Sequence, residues 1–152
     1  MEILVFMGIF AIAAGVFTDV LSSSLNLRNE TDAVSAVQQD GNFIITRLTY
    51  DIARASSVST PTSPGDTSST MQLTIAGTPY TYALNGTTIQ LTANGSTDDL
   101  SSPGTQVSGL TFTRLGSGAK DTIRLQFTVS STTVKGSATR ETKTYATTVG
   151  LR

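Results

Sequence analysis

The chain has 152 residues, a formal charge of −1 and only 14% charged residues, which suits one compact domain plus one appended element and excludes the basic field a nucleic-acid backbone requires. It contains no cysteine, histidine or tryptophan, so thiolate and imidazole nucleophiles, the usual zinc ligands, the commonest general base and any disulfide are all ruled out. The polar residues are mostly Ser and Thr, dense over 56–70 and 130–148, a composition that suits strands and also hydroxyl-rich surfaces that face other proteins or carry sugars.

From Ile3 to Phe17 the chain reads ILVFMGIFAIAAGVF without a charge, and the first break is Thr18-Asp19, followed by Val20 and Leu21. Apolar residues fall on every helical face, which predicts burial all round, in lipid or at the centre of an assembly. Fifteen residues reach about 22 Å, short of the roughly 30 Å core of a bilayer. A cleaved signal peptide needs a basic region before the apolar run and a small-residue cleavage site after it. Here the acidic Glu2 leads, and the helical pattern continues.

Val34, Val37, Gly41, Ile44, Leu48, Ile52 and Ala55 then recur at steps of three or four, with Arg28, Glu30, Asp40, Arg47, Asp51 and Arg54 mostly off that stripe. The pattern predicts one long helix. Its first part, 1–27, is apolar all round; its second, 28–56, is amphipathic and packs on the domain through Val34, Val37, Ile44, Leu48 and Ile52. Weak helix propensity at Thr18, at Ser22-Ser23-Ser24 and at Gly41 predicts an interruption or bend, foremost at the serines.

Pro61, Pro64 and Gly65 oppose helix, so 57–70 reads as a linker. Over 71–152 alternation marks strands at Leu73 and Ile75, at Tyr80, Tyr82 and Leu84, and at Ile89 and Leu91, with Asn85-Gly86 as a hairpin signal. A turn-rich loop follows from Asn94 to Thr105. Leu110 and Phe112, then Ile123, Leu125, Phe127 and Val129, then Tyr145, Val149 and Leu151 mark three more strands. The expectation is α+β: about six antiparallel strands in two sets of three, with the apolar face covered by the stripe from Val34 to Ala55. The globular part is 28–152.

With Glu2-Ile3-Leu4-Val5 heading an apolar helix, the chain resembles the type IV pilins and pseudopilins. Stretches similar to that family continue at Val37-Gln38-Gln39-Asp40-Gly41-Asn42-Phe43-Ile44, at Leu48 to Ser57, and at Thr147-Thr148-Val149-Gly150-Leu151-Arg152. The family's glutamate usually stands fifth in the processed subunit; here it stands second, as if about three residues preceded it, and the family's usual disulfide loop is absent. The resemblance implies a subunit inserted in the cytoplasmic membrane, processed by prepilin peptidase, and polymerised by the pilus assembly machinery into a cell-surface filament of its own copies. It assigns assembly to Glu2, Ile3, Leu4, Val5, Phe6, Ile9, Phe10, Ile12, Val16 and Phe17. Glu2 would pair with the N-terminal amine of a neighbour, since an unpaired carboxylate is costly in an apolar bundle; it could instead sit at the membrane interface, favoured there by the helix dipole. A minor pilin or secretion pseudopilin that primes or caps assembly stays open. So does, from another class, a membrane-anchored adhesin or sugar-binding domain that does not polymerise.

No motif here builds a catalytic or cofactor site, and the expectation is a protein that is not an enzyme and uses no cofactor or metal. Asp98-Asp99 with Asp66 or Asp121 match no calcium loop and read as solvated turn acids. Asn29, Asn85 and Asn94 begin N-glycosylation tripeptides, and the hydroxyls after Ser56 are candidate O-glycosylation sites. Lys135, Arg140 and Lys143 read as edge-strand protection rather than a DNA contact. Gly8 and Gly15 read equally as points of close helix approach in a bundle and as tolerated small residues.

Overall fold

A computed structural model describes residues 2–116, 121–134 and 139–152. They form one helix, α1 (Glu2–Arg54), and nine strands: β1 (Ser57–Thr60), β2 (Thr67–Ser68), β3 (Met71–Ile75), β4 (Thr78–Asn85), β5 (Thr88–Ala93), β6 (Ser96–Asp99), β7 (Thr105–Arg114), β8 (Thr122–Val134) and β9 (Arg140–Gly150). The class is α+β, as expected. The pairing is antiparallel throughout, in a five-stranded sheet ordered β1-β3-β4-β5-β6 and a four-stranded sheet ordered β2-β7-β8-β9.

Three expectations need correction. The helix runs unbroken through Ser22-Ser23-Ser24 and ends at Arg54 rather than at 56. Thr18 and Thr31 hydroxyls bond back to the carbonyls of Ala14 and Leu27, each at 2.9 Å, so these weak helix formers are accommodated within the ladder. The supposed linker holds β1 and β2, and the supposed loop after Asn94 holds β6, which gives sheets of five and four strands instead of two sets of three. The three missed strands are short, and β2 and β6 bury no apolar residue. Alternation therefore had nothing to report there.

Turn chemistry explains the meander. Ala76-Gly77 and Asn94-Gly95, with φ positive at both residues of each pair, close the β3–β4 and β5–β6 hairpins as type I′ turns require. In the β4–β5 hairpin Asn85 pairs with Thr88, so the turn residues are Gly86-Thr87, one position later than the Asn-Gly signal suggests.

The core is continuous across both sheets and α1. On β8 the alternation of Ile123, Leu125, Phe127 and Val129 turns every second side chain inward. The helix lies chiefly on β8 and β9, and Val37, Ile44, Leu48 and Ile52 are fully buried there. Val34 is only half-buried; Ala33 is the buried residue at that end of the stripe. Gly41 is no bend point: the ring of Tyr145 lies where a Cβ would stand.

Candidate functional site

The stretch of α1 before the core differs from everything after it. Every residue from 2 to 32 is exposed, whereas Ala33 is 2% and Val37 0% exposed. All the residues assigned to assembly, Glu2, Ile3, Leu4, Val5, Phe6, Ile9, Phe10, Ile12, Val16 and Phe17, lie on this arm. Its large apolar side chains are not covered by any other part of the described residues; Ile3 is 76% and Phe10 67% exposed. An eighteen-residue window of the helix has a mean hydropathy of 2.3 and none of it is buried. Because the helix does not break at the serines, Val20, Leu21, Leu25 and Leu27 extend the apolar arm, and 2–27 spans about 39 Å. By length and composition it could cross a bilayer, which the fifteen-residue run alone could not.

Contacts from the second half of α1 and from β9 seat the base of the arm on the sheets. Asp40 accepts hydrogen bonds from the Ser102 amide at 2.8 Å and from the Thr105 hydroxyl, tying the helix to the start of β7. Tyr145 of β9 crosses Gly41, donates its hydroxyl to the Val37 carbonyl at 3.1 Å, and stacks on Phe127 with ring centroids 5.4 Å apart. About three turns further along the helix, Asp51 is buried, with Arg47 Nε at 2.7 Å and the Tyr82 hydroxyl donating to the same carboxylate oxygen. Burial, reinforced by the bond to Asp51, pushes the Tyr82 phenol well above its ordinary range. Burial raises Tyr145 as well. Asp51 had read as a residue outside the packing stripe; its i,i+4 spacing from Arg47 was the one signal of its pairing.

Beyond the core, the outer side of the helix keeps an apolar character. Phe43 and Tyr50 are about half exposed, and they line a shallow cleft of about 480 Å³ with Asn42, Thr46 and Arg47.

The remaining candidates are dispersed. Asp121 is bound by Arg114 at 2.5 and 3.1 Å, Asp66 accepts the Ser63 amide at 2.9 Å, and Asp99 accepts from Gln90 at 2.8 Å. Among the described residues no three acids gather into a group that could hold a metal. Arg114 also donates to the carbonyls of Pro61 and Thr62 at 3.2 and 2.7 Å, so it fastens the loop between β1 and β2, a role that no sequence pattern announced. Asn29 is exposed on the arm, Asn94 is exposed at a hairpin turn, and Asn85 donates to Gln90 at 3.1 Å. Arg140 donates to Gln106 at 3.0 Å and Lys143 stands over the Tyr145 ring, so these two cations are engaged separately; Lys135 lies outside the described residues.

No protein-family model matches the chain, and neither a curated protein nor a solved structure matches it.

Proposed function

We propose that the chain is a pilin-like structural subunit that polymerises through residues 2–27 into an extracellular filament and rests in the cytoplasmic membrane before assembly. One observation carries the reading: an apolar helical arm, exposed along its whole length, is continuous with a helix half that is packed on a folded domain. Exposed apolar surface of this extent marks an interaction face, and a helix apolar on all sides suits a bundle of like helices or lipid. Glu2 at its head favours the bundle, since a carboxylate there needs a cationic partner and a neighbour's N-terminal amine is one. In this reading the work of the protein is assembly, with prepilin peptidase and an assembly machinery as its partners, and not catalysis.

Removing detergent from the purified full-length chain, followed by electron microscopy, tests the proposal. Filaments from the wild type and none from Glu2→Ala support it. A domain that stays dispersed or membrane-bound in both cases supports instead an anchored binding domain, the reading favoured by the membrane-spanning length of α1. Trace incorporation into filaments of another subunit would indicate a priming or capping role.

A further inference from the structure

We propose that neighbouring copies of this chain contact one another head to tail along the arm, with Arg28 of one copy paired to Asp19 of the next. The inference rests on the filament reading and adds to it a specific pair and a stagger.

Asp19 is the one charged residue between positions 3 and 27, and Arg28 is the one basic residue before Arg47. Both are exposed, and among the described residues neither forms an ion pair. They stand nine residues apart on an unbroken helix, which separates them by about 13.5 Å along the axis and about 180° around it. They cannot meet within one chain.

Opposite sides are what a head-to-tail contact needs. When one copy is displaced along its neighbour without being inverted or turned about its own axis, the two surfaces that touch lie on opposite sides of the helix. Repeating that displacement gives an open filament. An antiparallel dimer with twofold symmetry would need both charges on the same side.

Shape agrees with charge at the same offset. Sliding one copy by nine residues sets Phe17 opposite Gly8 and Ser24 opposite Gly15 while it sets Arg28 opposite Asp19. Nothing lies within 4 Å of the position a Cβ would take at Gly8 or Gly15, so a neighbour's side chain has room there. The Arg28 side presents Phe10, Phe17 and Leu21, and the Asp19 side presents Gly8 and Gly15 beside Ile12; Phe17 facing Gly8 and Ser24 facing Gly15 allow close helix approach. A carboxylate enclosed by apolar neighbours is opposed by desolvation unless it is paired, so the Asp19–Arg28 contact selects this stagger over others.

The test uses the full-length chain after detergent removal, with sedimentation giving the critical concentration for assembly. Asp19→Arg and Arg28→Asp should each raise that concentration by roughly a hundredfold, as expected when one charge of a buried pair is left alone. The double exchange should restore assembly. An equimolar mixture of the two single variants should also assemble, in alternation, although neither does so alone. Gly8→Leu should block assembly while helicity by circular dichroism holds or rises, which separates a blocked contact from an unfolded arm. Single variants that assemble at the wild-type concentration, or a double exchange and mixture that both stay dispersed, would overturn the contact and leave the filament reading standing. A wild type that never assembles would overturn both.

Discussion

Residues 2–32 and 33–54 belong to one helix, yet they obey different rules. In the packed half the acids Asp40 and Asp51 are each fixed by two donors, Gly41 is filled by a tyrosine ring, and the apolar residues of one stripe lie against the sheets, chiefly on β8 and β9. In the arm Asp19 forms no ion pair among the described residues, Gly8 and Gly15 face open space, and apolar side chains stand exposed on every side. A helix can therefore be finished as secondary structure and unfinished as packing. Its backbone bonds close locally, whereas its side chains require a second surface.

The two halves should separate cleanly under substitution. The largest loss of folding stability is expected at Phe127, which is buried under Tyr145 at the base of the arm: Phe127→Ala should cost roughly 3–5 kcal/mol in urea unfolding of the detergent-solubilised chain. Gly41→Val forces a branched side chain against the Tyr145 ring and should cost roughly 3 kcal/mol. A wild-type midpoint for Gly41→Val would mean that the ring does not cross the helix there.

Tyr82→Phe removes one donor from the buried Asp51 carboxylate and should cost roughly 1–3 kcal/mol at neutral pH. It should also change the response to alkali. Burial and the Asp51 bond favour the neutral Tyr82 phenol, so its folded pKa lies above the unfolded value of 10.0. The stability this contributes is complete below about pH 10 and is lost as the pH rises towards the folded pKa. Unfolding midpoints measured from pH 8 upward should fall in the wild type and fall less steeply in Tyr82→Phe; Tyr145, raised in the same direction, leaves a residual slope.

The smallest effect on folding is expected in the arm. Ile9→Ala and Phe10→Ala should leave the domain's stability within about 0.5 kcal/mol of wild type, because neither side chain touches it. The same variants should weaken assembly. A large shift in the unfolding midpoint would show that the arm folds back on the sheets.

The split was legible in part. Strict alternation from Ile123 to Val129 located β8 and its inward face, and the apolar run before Asp19 marked the arm, because period and charge act locally along the chain. β6, with four exposed residues, left no hydrophobic trace and exists because Asn94-Gly95 turns it back onto β5. Asp51 looked like a surface acid until Tyr82, thirty-one residues later, supplied a buried donor. Arg114 likewise acquired its carbonyl partners only from a loop fifty-odd residues earlier in the chain.

By itself the sequence determined the α+β class, the apolar arm with Glu2 at its head, and the stripe of Val37, Ile44, Leu48 and Ile52. Tertiary structure alone decided the division into sheets of five and four strands, the burial of Asp51, the filling of Gly41, and the point near Ala33 where the core ends and the exposed arm begins. The physical reason is range: helical and strand periods are set by neighbours a few residues away, while a buried charge, a glycine notch or a core boundary is set by whichever distant strand lies against it.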